Sequence, residues 1–584
     1  MYLGKIYNFA ENISMKNLSR ILLLFCLQAM VFLPVSFSQG QNDKVNRVSL
    51  HKEVPDDSYL PPSGNQMKSL KGYNYITSSV FTTQVNVDEY GNNIPDDAAN
   101  EPSIAIDPTN PDVMVIGWRQ FDNIGSNFRQ AGYGYTTDGG QSWTFPGVID
   151  PGVFRSDPVL DANADGKVFY NSLTSDGYSY TCKVFRSDDG GAQWDDGVNA
   201  RGGDKQWMVI DRTEGIGAGN IYSFWTAYYS SCYPGFFTRS TNGGDFYQNC
   251  VGVAGSPYWG TMAVGPDGEL YIVGVGEDEG VVVAKSTTAQ NPPSVVSWDL
   301  AEQVFLDGHL TGWSPINPEG IMGQADIGVD GSDGPGRGNV YVLASVERPL
   351  AGDPADVMFS KSTDGGLNWS LFPVRINDDP ENDHYQWFGT MSVAPDGRID
   401  VVWLDTRDAP TGSYLSALYY SYSTDEGETW STNERLSELF DPHVGWPQQQ
   451  KMGDYFDMRS DETGAHLAWA NTLNGEQDVY YSHITPTYIA IDEASPGADA
   501  LELTCYPNPF TGRTTIRYVV PVEGYVQLDL INLYGQVVAT LAEGVQQPGL
   551  HTVNYQAEGL SAGYYYGRLK VDNQQSVIGI VKVR

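Results

Sequence analysis

The sequence predicts an all-β chain: a β-propeller of seven four-stranded blades, with six as the alternative count, followed by a small C-terminal β-sandwich. Three observations predict it. Aromatic residues make up 12% of the chain beside 64 glycines and 33 prolines, a mixture that suits short strands and tight turns over long helices. One eight-residue turn pattern recurs five times, and seven short apolar strands ending in Asp- or Gly-rich turns recur around it. At 584 residues the chain exceeds one ordinary domain, unless it grows by adding similar units.

Residues 1–38 read as a secretory signal peptide: a basic start (Lys16, Arg20), an apolar run from Ile21 to Phe37, and the small residues Ser36 and Ser38 before Gln39. The run is short and interrupted by Pro34, so no membrane span is expected in the mature chain. Residues 39–72 are polar, without apolar period, and read as a linker. The β-branched and aromatic stretch 75–87 stands alone before the first repeat, and is expected to complete the last sheet and close the ring. Past Gln39 only Cys182, Cys232, Cys250 and Cys505 remain, too few for a disulfide framework. Cys232 and Cys250 flank one predicted strand and turn, and can pair or stay free.

The recurring turn reads Ser/Thr, any residue, Asp/Asn, any, Gly, any, any, aromatic. Its copies are 136–143 (TTDGGQSW), 187–194 (SDDGGAQW), 240–247 (STNGGDFY), 362–369 (STDGGLNW) and 423–430 (STDEGETW). The Asx side chain accepts backbone hydrogen bonds, Gly supplies positive φ, and the aromatic packs back between neighbouring sheets. The expected role is structural. Repeats open at 103–112, 158–166, 207–215, 261–268, 326–334, 390–397 and 455–464, the fourth with a decayed turn and the last, with strands at 466–470 and 479–484, with none. This pattern resembles the Asp-box, or BNR repeat, of sialidases. The resemblance implies a sialidase-like β-propeller over 73–488, and a secreted glycoside hydrolase acting on extracellular glycans.

After a linker at 489–500, residues 501–584 change in character. The segments 504–521 (TCYPNPFTGRTTIRYVVP), 526–541 (VQLDLINLYGQVVATL) and 559–584 resemble the C-terminal sorting domain of the Bacteroidetes type IX secretion system. That resemblance implies the type IX secretion machinery as a partner, and a protein secreted or attached to the outer cell surface.

Lys and Arg total 34 against 72 Asp and Glu, a formal charge of -38 that repels nucleic-acid phosphates and anionic lipid surfaces. In a propeller the starts of the innermost strands and the loops after the second strands meet at one end of the channel. Convergent carboxylates, arginines and aromatic rings there suit a carbohydrate pocket: rings stack on sugar faces, Arg grips an acid group, and carboxylates move protons. The catalytic candidates are Asp405, Asp454, Tyr455, Asp204 and Glu101. The substrate-binding candidates are Arg119, Arg407, Lys205, Trp207, Trp259 and Trp387. Arg459 closes an innermost strand, should face the opposite end, and is left out.

Sialidases use a Tyr nucleophile with a carboxylate partner, an aspartate acid/base and three arginines. Their Arg-Ile-Pro signature is absent here, where the first repeat reads Asn100-Glu101-Pro102-Ser103. No catalytic residue is therefore carried over from the family. Two other functions fit: a non-catalytic propeller binding glycan or protein at the cell surface, and a lyase on acidic polysaccharide with Tyr455 or Tyr385 as base. No metal or cofactor is expected. The alternative is a structural calcium at residues 161–166, which look like half a calcium loop but carry Ser172 where the closing Glu belongs.

Overall fold

The computed structural model describes residues 57–62, 70–175, 179–380, 382–487 and 503–583, apart from 507, 509, 521–523, 533–535, 558 and 572–573. The signal-peptide segment, most of 39–72 and the linker 489–500 lie outside the described residues. Among the described residues no helix is long and apolar enough to cross a membrane.

Seven antiparallel sheets follow one another along the described part of the propeller. Their innermost strands are Ala98–Ile106, Ser156–Ala162, Trp207–Ile210, Met262–Val264, Asp326–Val329, Gln386–Val393 and Asp457–Asp461. Each touches the next, and the seventh touches the first, so the ring closes. Sheets 1, 2, 4, 5 and 6 have four strands. Sheet 3 has three, because the segment in the fourth position makes a single bridge, Phe237 to Val251. A disulfide between Cys232, ahead of the third strand Phe237–Ser240, and Cys250, next to Val251, ties the two together. Sheet 7 has five: Val80–Gln84 pairs with Asp478–Ile484, and Asn74–Ile76 adds outside it. Joining an N-terminal strand to the last hairpin removes two free sheet edges.

The turn pattern folds as its chemistry predicts. In every copy the first hydroxyl donates to the Asx oxygen two residues on and accepts the N–H of the Gly four residues on, as Ser362 does with Asp364 (2.8 Å) and Gly366 (2.9 Å). Bonds from the side chain and backbone of Ser142, Asn368 and Thr429, with a smaller share from the first hydroxyl, hold the carboxyls of Asp138, Asp364 and Asp425 below their ordinary range. The closing aromatic packs on the preceding sheet: Trp143 on Tyr481, Trp194 on Tyr133, Trp430 on Phe359.

Inside the ring, the innermost strands have backbone donors with no strand beyond them to accept. Side-chain oxygens of the neighbouring innermost strand take that role. Asp457 accepts from Ile104 N, Ser103 from Leu160 N, Asp161 from Ile210 N, Thr261 from Ile327 N, Asp326 from Met391 N and Ser392 from Ser460 N, at 2.8–3.1 Å. Six of the seven junctions are stitched this way among the described residues. Asp161, the first residue of the calcium-like segment, spends its carboxylate here and on Arg212.

Residues 503–583 form two further sheets, of three and four strands, around a core that includes Phe510, Ile516, Val526, Leu528, Leu569 and Ile580.

Candidate functional site

Five innermost strands are entered through a non-glycine residue with positive φ: Glu101 (50°), Asp157 (47°), Lys205 (56°), Trp259 (56°) and Phe388 (55°). In the other two sheets a glycine precedes the strand with φ of 120° (Gly323) and 102° (Gly453). The pairing register slips at this point in sheets 1, 2 and 6, the mark of a β-bulge. Left-handed backbone costs an ordinary residue roughly 1–2 kcal/mol. Its recurrence around the ring makes it an architectural device that re-aims the entering side chain, rather than strain confined to one site.

In sheets 1–3 the re-aimed side chains are charged, and they meet residues entering sheet 7. Glu101 lies 3.1 Å from Arg119 and 3.0 Å from Lys451. Lys451 is 2.5 Å from Asp454, which is 2.7 Å from Lys205, itself 3.6 Å from Asp157. All six side chains are buried, none more than 1% exposed. Burial pushes the Glu101 carboxyl up to about 7 against the pull of Arg119, Lys451 and Lys205. Burial also pulls on the Lys205 ammonium, but Asp157, Asp454, Glu101 and Asp204 outweigh it and hold Lys205 well above its ordinary value. Two irregular segments lock over this cluster. Asn317 donates to Gly453 O and accepts from Met452 N, while Glu319 and Gln450 bond through both backbone and side chain.

Four of the five catalytic candidates are thus brought to the expected end of the channel, but not to solvent. Glu101, Asp204 and Asp454 are fully buried, and Asp454 also accepts from Ile321 N. The Tyr455 hydroxyl donates to Pro158 O at 2.8 Å, and burial raises its pKa further from that of a usable base or nucleophile. Asp405 stands apart in sheet 6. Also buried, it accepts from Gln386, Trp403 and Arg407.

The binding candidates divide in the same way. Arg119 is enclosed by Glu101, Asn100 and Gln449, and Lys205 by its carboxylates. Arg407 lies over the Tyr419 ring, bound to Asp405, Asp378 and Asp379. Trp259 packs on Tyr258 and Trp313, and Trp387 donates to Ser416. Of the six, only Trp207 reaches a large cavity, and it does so at the other end.

That cavity, of about 820 Å³, opens where the innermost strands finish. Trp207 and Phe456 lie at its depth, strand residues such as Ile210, Val264, Ile327 and Met391 form its walls, and Arg212, Glu214 and Arg337 stand among its lining. Beyond it a void of only about 10 Å³ separates Trp207, Gln324, Phe388 and Tyr455. The side chain of Arg459 projects into the cavity, 28% exposed, with one guanidinium nitrogen 2.8 Å from Asp457 and on Met458 O. The carboxylates of Asp457, Asp161 and Asp326, from sheets 7, 2 and 5, together raise its pKa against burial. Burial pushes the Asp326 carboxyl up to about 6, opposed by its bonds from Met391 N and Thr261. Arg459 thus lies at the end of the channel that its place at the close of an innermost strand predicts, and that end, not the opposite one, holds the cavity.

The family model described as a secretion system C-terminal sorting domain matches residues 504–583. No curated protein matches the chain in sequence. Among solved structures, a protein of unknown function from Dyadobacter fermentans is 13% identical (TM-score 0.39), covering 72% of this chain and 100% of that one. The GH93 α-L-arabinofuranosidase of Fusarium graminearum, solved with arabinobiose, is 10% identical (TM-score 0.26; 70% and 99% covered). A Penicillium chrysogenum α-L-arabinanase, also with arabinobiose, is 12% identical (TM-score 0.27; 69% and 94% covered). Likeness at that level carries nothing about the chemistry of this chain. The sorting domain does fix its destination: this is an exported propeller protein, secreted or attached to the outer cell surface.

Proposed function

We propose that the protein is an exported glycan-binding propeller whose ligand enters the channel at the end where the innermost strands finish. One observation carries the reading: the channel holds a cavity of ligand size there, with an arginine edge turned into it, while the opposite end is packed with ion-paired side chains. The glycan class is supported by the likeness of the five turns to sialidase repeats, and by a wall that mixes apolar strand residues with a few charged groups. Sialidase-type catalysis at the expected end lacks an exposed acid, an exposed nucleophile and a free arginine among the candidate residues.

Glycoside hydrolysis inside the cavity is a second reading, favoured by the raised Asp326 carboxyl, which lies in the range of a general acid. Incubation of the purified protein with a broad glycan panel, following retention and released sugar together, separates the two. Retention without release supports binding. Release that is lost in Asp326→Asn supports hydrolysis, and neither retention nor release contradicts both.

A further inference from the structure

We infer that the cavity takes the terminal residue of a neutral, hydroxyl-rich glycan, and discriminates against sialylated and uronate-rich chains. The inference rests on the glycan-binding reading and goes beyond it in ligand class and mode.

Charge excludes the acidic ligands. Four acids, Asp161, Glu214, Asp326 and Asp457, line the cavity with three arginines, Arg212, Arg337 and Arg459. Arg212 is already paired with Asp161 and Arg459 with Asp457, while Arg337 is bound to the carbonyls of Gly331 and Ser332. Around Arg459 itself stand three carboxylates from three sheets. A ligand carboxylate would add a fourth negative charge beside one guanidinium already engaged by an aspartate, inside a protein of formal charge -38. Hydroxyl groups meet no such penalty. They can accept from the Arg459 edge that Asp457 leaves uncovered. At the depth of the cavity Trp207 and Phe456, each almost fully buried, supply the apolar part of its floor.

Shape selects a terminus. Among the described residues the cavity does not continue through the ring: past Trp207 and Tyr455 the channel narrows to the small void, and beyond that lie the buried ion pairs. A blind pocket about 820 Å³ in size admits the end of a chain, whereas the middle of a polymer would need an exit on both sides.

The test is calorimetric titration of the full exported chain with neutral linear oligosaccharides, their cyclic counterparts, and sialylated or uronate oligosaccharides of equal length. Arg459→Lys and Glu214→Trp are run in parallel. Glu214 is exposed at the cavity, so the tryptophan narrows the entrance without disturbing the core. Tyr228→Ala serves as the control, because Tyr228 is exposed and lies outside the lining. Binding of linear neutral chains, at least tenfold weaker for cyclic and acidic ones, weakened tenfold or more by both cavity variants and unchanged by the control, is the expected result. Preference for acidic or cyclic chains overturns the inference and leaves the glycan-binding reading standing. Binding that neither cavity variant alters overturns the placement. No binding of any oligosaccharide overturns the inference together with the glycan-binding reading.

Discussion

The two ends of one channel are built from the same seven strands, yet one is a closed electrostatic lock and the other an open chamber. At the entry end, charged residues at the bulges of three sheets meet Lys451 and Asp454, and every charge is spent on another. At the far end, the carboxylates that face the channel are spent on stitching neighbouring strands, and space remains around Arg459. The same residue types serve opposite purposes. Whether a convergence of Asp, Arg and Lys is a site depends on what covers it, which composition at the strand ends does not reveal.

The largest expected effect comes from breaking the lock. Asp454→Ala leaves Lys205 and Lys451 facing each other without their shared carboxylate, and should destabilise the propeller by about 3–5 kcal/mol in denaturant unfolding. A loss below about 1 kcal/mol would mean that water reaches the cluster.

Gly453→Ala attacks the same end through the backbone. Position 453 has φ of 102°, and an added Cβ would meet Glu101 Cγ at 2.8 Å. A cost of about 1–3 kcal/mol is expected from the conformation alone.

A pH dependence should follow from the closing seam. Burial, with Glu476 nearby, pushes the Asp478 carboxyl up to about 7, and Asp97 beside it is raised too, chiefly by burial and then by Asp478. Asn86, Asn474 and Gln120 surround the pair. Carboxyls that hold their protons longer in the folded chain contribute stability that is complete below about pH 4 and is lost as pH rises through 7. The melting temperature should therefore fall between pH 5 and 8, and fall less in Asp478→Asn; equal slopes would contradict the assignment.

The smallest effect is expected at the open end. Asp457 keeps its bonds from Ser103 and Ile104 when Arg459 is removed, so Arg459→Ala should cost at most about 1 kcal/mol. Arg119 and Arg459 are then a matched pair: each is an ion-paired arginine, but only Arg119 is walled in.

The sequence made the framework legible because the framework is periodic. Five turns with a hydroxyl, an Asx and a glycine at fixed offsets require local hydrogen bonds that any reader can anticipate, and Val80–Gln84 could be assigned to the last sheet because it had no other partner. The same periodicity makes the meeting of Glu101, Lys205 and Asp454 at one end of the channel legible. Their burial was not legible. It depends on Lys451, Gln449 and Asn317, which come from two segments with no period that are joined across more than 130 positions of sequence by the bonds of Asn317 with Gly453 O and Met452 N. The chamber was missed because its wall is ordinary strand, and its arginine carries no local motif.

Side-chain accessibility tests the central claim most directly. Native protein is treated with an arginine-selective dicarbonyl, digested, and mapped by mass spectrometry. Modification of Arg459, with Arg119 untouched until the chain is unfolded, is the predicted result; an Arg119 that reacts in the native state as fast as Arg459 would show that the entry end is open and contradict the account.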